Sequence, residues 1–261
     1  MIIRKSRQEI GQMAKAGELV AETLARVGEA IAPGVTTAEL DALAEELISS
    51  RGAVPTFKGY RGYPASICTS PNSMVVHGIP SRYTLSEGDI LSVDVGATLN
   101  GFVGDAAYTF PVGEIDPEAR RLLEVCQAAL AAGVAQARAG NRLSDISHAV
   151  QKATEAAGFS VVRTLVGHGV GRAMHEDPQI PNYGEPGHGP ELAVGMTLAI
   201  EPMITAGAPD VYVHDDSWSI STRDGSLAAH FEHSIAVTEA GPLVLTTAPG
   251  IDLARLGART R

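Results

Sequence analysis

Cysteine is almost absent from this chain: Cys68 and Cys126 are the only two in 261 residues. They show no paired spacing, which excludes a disulfide framework, leaves no thiolate cage for a metal, and suits a reducing compartment. Long apolar runs are missing too. No stretch reaches bilayer-spanning length, and the opening MIIRKSRQEIGQM lacks the apolar core of a signal peptide. The cytoplasm is therefore the expected location. Blocks of Lys and Arg are also lacking, apart from a thin scatter at Arg255, Arg259 and Arg261. With a formal net charge of −10, DNA and anionic membrane are disfavoured as partners. What remains is an ordinary globular composition, 44% apolar and 5% aromatic, at a length that suits one large domain or two smaller ones.

Apolar residues at steps of three and four (Ile10, Met13, Gly17, Val20, Leu24, Val27, Ile31) predict a long first helix, ended by Pro33-Gly34. Thr36 to Glu39 reads as a capping box for a second helix that stops at Gly52. Short extended pieces follow at 60–64, 66–69 and 74–77. Asp116-Pro117 starts a third helix, and a fourth lies between Gly140 and Gly158. Extended segments are then expected at 160–166, 196–204, 218–222 and 230–238. Gly34 to Gly52 and Gly140 to Gly158 have equal spacing, and the order of helix, helix, strands occurs twice. Two similar halves sharing a sheet, with a site between them, is the reading. Residues 1–249 are taken as one domain and 250–261 as a loose tail.

The stretch ILSVDVGATLNGFVGDAAYTF, from Ile90 to Phe110, carries the chemistry of the first half. Its alternation marks a strand, and Asn100-Gly101 supplies the positive-φ pair of a two-residue hairpin turn. With Leu99 opposite Phe102, Asp94 faces Ala107, and Asp105 lies two residues further along the same face. The two carboxylates are then diagonal neighbours about 7 Å apart. Like charges at that range raise each other's pKa unless a cation lies between them.

The second half adds GHGVGRAMHEDP, with His168 and His175 among glycines that let the backbone pass close to a packed site. The third glycine of a dinucleotide loop is missing, and no helix signal follows. Glu201 ends the apolar run TLAIEP, and Glu232 sits inside the strand-like HFEHSI. Buried carboxylates are costly unless paired, hydrogen-bonded or on a metal, and no comparable set of Lys or Arg shares these segments. A dinuclear site would neutralise them. Carboxylate ligands with one imidazole favour Mn, Fe(II) or Co, with zinc as the alternative.

The order Asp94, Asp105, His168, Glu201, Glu232, in DVGATLNGFVGDAA, GHGVGRAMHEDP, AIEP and HFEHSI, closely resembles the type I methionine aminopeptidases over roughly residues 3 to 246. The resemblance implies an α+β fold of the pita-bread (creatinase/aminopeptidase-like) kind: two pseudo-symmetric αβ halves with a curved antiparallel sheet. It implies two divalent ions, one chelated by Asp94, both bridged by Asp105 and Glu232, the other bound by His168 and Glu201. By the same resemblance Glu201 shuttles protons, His175 stabilises the oxyanion and His77 holds the substrate's peptide group. Phe57, Tyr60, Tyr63, Cys68, Met174 and Trp218 would form the methionine pocket; some members carry Cys at the position of Phe57 and Phe at that of Met174. The implied activity is removal of N-terminal methionine from newly made polypeptides when the second residue is small. Ribosome association and a monomeric state are the accompanying expectations.

Five further histidines, His148, His188, His214, His230 and His233, match no role and are read as surface or structural residues. His230 shares strand parity with Glu232, so a contact behind the ligands is open to it. The rivals are an Xaa-Pro aminopeptidase or prolidase of the same fold, which usually carries a large extra N-terminal domain, and a peptide-binding module that has lost catalysis. The type II methionine enzymes carry a helical insertion for which no segment is available here.

Overall fold

Four helices form where the apolar stripes fall: α1 (Arg7–Ala30), α2 (Thr37–Ser50), α3 (Pro117–Gln136) and α4 (Leu143–Ala156). The computed structural model describes residues 1–252, so the greater part of the expected tail, 253–261, lies outside the described residues. Thr36 and Glu39 form the expected reciprocal box, with the Glu39 amide 3.3 Å from Thr36 Oγ1 and the Thr36 amide 2.8 Å from Glu39 Oε2. Ser6 and Glu9 cap α1 in the same way, a box the sequence analysis passed over. Asp116 caps α3, accepting the Glu118 amide at 2.8 Å.

The repeat is written in the backbone. Gly34 and Gly52 flank α2 with φ of +93° and +70°, and Gly140 and Gly158 flank α4 with +92° and +83°. Only glycine adopts these angles without strain. Isolated antiparallel bridges join Thr36 to Thr84 and Arg142 to Glu191. Four positions beyond each bridge comes another positive-φ glycine, Gly88 (+92°) and Gly195 (+94°). Six positions beyond each of those lies an acidic site residue, Asp94 in one half and Glu201 in the other.

Every strand pairing among the described residues is antiparallel. The hairpin Ile90–Leu99 with Phe102–Pro111 has the expected register: Leu99 faces Phe102, Asp94 faces Ala107 and Gly96 faces Asp105. Strand Ile67–Pro71 pairs along the other edge of Ile90–Leu99, placing Cys68 beside Asp94. In the second half a five-stranded sheet runs in the order Gly241–Val244, His233–Thr238, Thr197–Ile200, Val166–Gly169, Glu176–Pro181. Ser234 joins the halves: its Oγ donates to the Asp105 carbonyl at 2.8 Å and accepts the Asp105 amide at 3.2 Å.

Several extended segments differ from expectation. The run 196–204 breaks at Glu201-Pro202 into Thr197–Ile200 and Met203–Thr205, because Pro202 has no N–H for the ladder. The run 230–238 breaks as well: Ala228–His230 ends before Phe231-Glu232, and His233–Thr238 starts after it. Glu232 is thus not inside a strand. Its amide leaves the local ladder and donates to the Ala107 carbonyl of the other half at 2.9 Å. Residues 60–64 form a 3-10 turn (Tyr60–Gly62), entered from Gly59 at φ +83°. Trp218 stays in a turn because Asp216 Oδ1 accepts the amides of Trp218 and Ser219, both at 2.8 Å.

Helix α1 lies so close to the hairpin that a Cβ on Gly104 would meet the Ala16 carbonyl carbon at 2.6 Å, whereas one on Gly11 meets nothing within 4 Å. Gly104→Ala is therefore expected to destabilise the fold by about 1–3 kcal/mol through overpacking. Gly11→Ala, in the same helix, should stabilise it by about 0.5–1 kcal/mol. Chemical denaturation of the two variants checks the pair; equal effects would contradict this packing.

Candidate active site

Five side chains converge from the broken strands and the hairpin. Asp94 and Asp105 project from paired strands, His168 from Val166–Gly169, and Glu201 and Glu232 from the two breaks. Asp105, His168 and Glu232 are buried, while Asp94 and Glu201 keep slight exposure. Ligand atoms of Asp105, His168 and Glu232 all lie within 4.8 Å of one another. Asp94 Oδ1, Asp105 Oδ1 and Glu232 Oε1 are buried without a hydrogen-bond partner.

His168 shows what the cluster accommodates. Its Nδ1 lies 2.9 Å from the Gly169 carbonyl, which can only accept, so Nδ1 holds the proton. Burial holds its pKa down at about 4, so the ring is neutral and Nε2 presents a lone pair. That nitrogen is 3.6 Å from Asp105 Oδ2 and 3.6 Å from Glu201 Oε1. A lone pair facing two carboxylate oxygens is repulsive, and a divalent cation turns the same arrangement into ligation. Burial pushes the Asp94 carboxyl up to about 7 and that of Glu201 up to about 8. Asp105 and Glu232, buried and facing the other carboxylates, are held well above the usual range. The donor set fits a divalent ion bound through oxygen and one imidazole nitrogen.

A cavity of about 170 Å³ opens onto the cluster, lined by all thirteen site residues singled out from the sequence. Tyr60 Oη lies 2.8 Å from His175 Nδ1, and the two rings stack at 5.5 Å; His175 also sits 4.3 Å, ring to ring, from His168. His77 holds φ +60°, a left-handed conformation uncommon outside glycine, and burial keeps its imidazole neutral, with a pKa of about 4. Trp218 meets Tyr63 edge to face at 5.1 Å. Phe57, Tyr63, Cys68 and Met174 belong to an apolar cluster against which Tyr60 and Trp218 pack. Burial pushes the Cys68 thiol well above its ordinary value, so it acts as a small apolar wall.

One cavity-lining residue lay outside the expected set. Arg61 lines the cavity with its guanidinium 5.4 Å from the Tyr60 ring; a lone arginine in a glycine-rich turn carried no signal. His230 is buried, with Nε2 3.6 Å from Glu201 Oε2, the contact its strand parity left open. His233 is structural, 2.8 Å from Thr246 Oγ1, and His188 is exposed.

The model of metallopeptidase family M24 matches residues 11–239 of this chain. The chain belongs to metallopeptidase family M24. A methionine aminopeptidase of Clostridium acetobutylicum is 54% identical over 247 residues, 94% of this chain and 99% of its own. The crystal structure of a methionine aminopeptidase from Thermotoga maritima superposes with a TM-score of 0.93 at 48% identity, covering 95% of this chain and all of that one. A prolidase from Pyrococcus horikoshii shares the fold, with a TM-score of 0.77 at 23% identity over 95% of this chain and 64% of its own. Pita-bread architecture is common to these M24 proteins, as expected from the sequence. Among the described residues no helix is long and apolar enough to cross a membrane.

An M24 site with these carboxyls makes the protein's stability depend on metal and pH together. Folding raises the pKa of Asp94 to about 7 and of Glu201 to about 8, so the folded metal-free chain binds protons that the unfolded chain releases. Its stability should fall as pH rises from about 6.5 to 8. Below that window the buried histidines His77, His168 and His233, held near 4, pull the other way. Saturating Mn(II) adds about 2.7 kcal/mol at a hundredfold excess over Kd, roughly 5–10 °C in Tm for a chain of this size. The gain is expected to be larger at pH 8 than at pH 6.5, as thermal melts with and without Mn(II) can show; a smaller gain at pH 8 would contradict the electrostatics.

Proposed function

We propose that this chain is a methionyl aminopeptidase that removes the N-terminal methionine of newly made polypeptides when the second residue is small, with residues 1–249 acting as one catalytic unit. The observation that carries the reading is the convergence of the acidic cluster, two further histidines and an aromatic-apolar wall on one cavity. The relatives named methionine aminopeptidase, matched over almost their whole length, support it.

In this reading Asp94, Asp105, His168, Glu201 and Glu232 hold two divalent ions, with Mn, Fe(II) or Co suited to the donor set and zinc the alternative. When bound, the ions supply Lewis acidity at the carbonyl and lower the pKa of water. Glu201 takes the proton of the attacking water and passes it to the departing amine. His175, whose Nδ1 is engaged by Tyr60, has Nε2 left to donate to the developing oxyanion. His77 hydrogen-bonds the substrate's peptide group. Phe57, Tyr60, Tyr63, Cys68, Met174 and Trp218 take the methionine side chain, chiefly through apolar contact.

Purified protein should release methionine from Met-Ala-Ser and leave an Xaa-Pro peptide uncut. A strong chelator should abolish the activity, and Mn(II) or Co(II) should restore it. Full activity in demonstrably metal-free protein, or preference for the Xaa-Pro peptide, would overturn the reading.

Within the site the roles separate. His175→Ala should keep the metals and lose roughly 10²–10³ in kcat, the scale of one oxyanion donor, whereas Asp105→Ala should lose the metals. Metal analysis of both variants decides it; an emptied site in His175→Ala would contradict the division.

A further inference from the structure

The turn that carries His175 closes on a buried ion pair contributed from the far N-terminal end of the chain. Glu176 Oε1 accepts the amides of Arg172 (2.9 Å) and Ala173 (3.3 Å), and its Oε2 accepts from Lys5 Nζ. Both side chains are nearly shut off from solvent, Lys5 at 3% and Glu176 at 8% exposure. Lys5 is the one buried lysine among the described residues. Its Nζ also donates to the Ile3 carbonyl at 3.3 Å, and its amide donates to the Gly195 carbonyl at 2.6 Å. Lys5 is thereby tied both to the His175 turn and to the glycine that precedes Glu201 by six positions.

The fit is tight. A Cβ on Gly171 would lie 2.5 Å from Glu176 Oε1 and 2.5 Å from Lys5 Cε. The turn is held from its other side as well, where the Gly171 carbonyl accepts the Val103 amide at 2.8 Å. Exposed pairs such as Arg26 with Glu29 contribute little. A buried pair carries a desolvation cost that its attraction barely offsets, so its value here lies in geometry.

We infer that Lys5 and Glu176 are positioning residues for His175, their buried ion pair fixing the 171–176 turn so that the imidazole faces the cavity beside His168. The inference rests on the role proposed above for His175. A displacement of about 1 Å at a reacting centre costs on the order of 10² in rate, which sets the scale of the effect.

The test is a double-mutant cycle in the full metal-loaded chain, read with Met-Ala-Ser. Lys5→Met should lower kcat about 10- to 100-fold, with KM and metal stoichiometry held, and Lys5→Arg should recover most of it. In a His175→Ala background Lys5→Met should cost nothing further, because the group it positions is gone. In zinc-loaded protein the imidazole NMR signals of His175, assigned by their loss in His175→Ala, should shift or broaden in Lys5→Met while those of His168 stay. Equal losses in both backgrounds, or metals lost along with activity, would overturn the inference. Should Lys5→Met fail to fold, Glu176→Gln, which keeps an oxygen for the two amides, takes its place in the cycle; failure of both to fold leaves the pair a purely structural role and also overturns it. A wild-type chain that leaves Met-Ala-Ser uncut, or a His175→Ala variant as active as wild type, overturns the functional reading itself.

Discussion

Four carboxyl groups and a neutral imidazole crowded into one largely buried cluster form the constraint on which the rest of this structure depends. Asp105 and Glu232 are almost shut off from solvent, and one oxygen of each has no donor. Among the described residues no lysine or arginine forms an ion pair with the cluster; Arg61, which lines the same cavity, sits over the Tyr60 ring. Such a site is tolerable for a folded chain only in protonated form or around a cation. Folding and metal binding are therefore two sides of one equilibrium here.

The architecture serves that constraint by bringing these side chains from both halves. The hairpin supplies two aspartates already in register, and the second half supplies a histidine and two glutamates from places where its strands break. Ser234 grips the Asp105 backbone with both its donor and its acceptor, and the Glu232 amide reaches across to Ala107. These contacts hold the seam at the positions where the carboxyl cluster stands. The aromatic wall shares a cluster distinct from the main core with Met13 of α1 and with Phe102 and Val103 of the hairpin.

Much of this was legible in the sequence because local rules dominate there. Asn100-Gly101 fixed the hairpin register and with it the relation of Asp94 to Asp105. The Thr36 box and the paired glycines marked both short helices. What stayed hidden was set by long-range contacts. The break at Glu232 arises because its amide bonds to a residue 125 positions away in sequence, which no local pattern reports. Trp218 is kept out of its strand by Asp216. The burial of Lys5 had no signal in the sequence, since nothing in its neighbours foretells Glu176. The roles of the five ligand positions were reached through family resemblance; the residues alone spoke only of carboxylates in need of a cation.

The repeated glycines have a consequence for how such a site arises. A chain of half this length, paired with its own copy about a twofold axis, would present identical ligands from both partners. Its two metal positions would be chemically indistinguishable, and a peptide could enter in either orientation. Joining the copies in one polypeptide lifts that symmetry. Asp94 and Glu201 still stand six residues beyond matching glycines, yet one is the shorter acid of a hairpin and the other ends a strand beside an imidazole. That difference gives the centre a direction, and an enzyme that must tell the first residue of a chain from the second needs one.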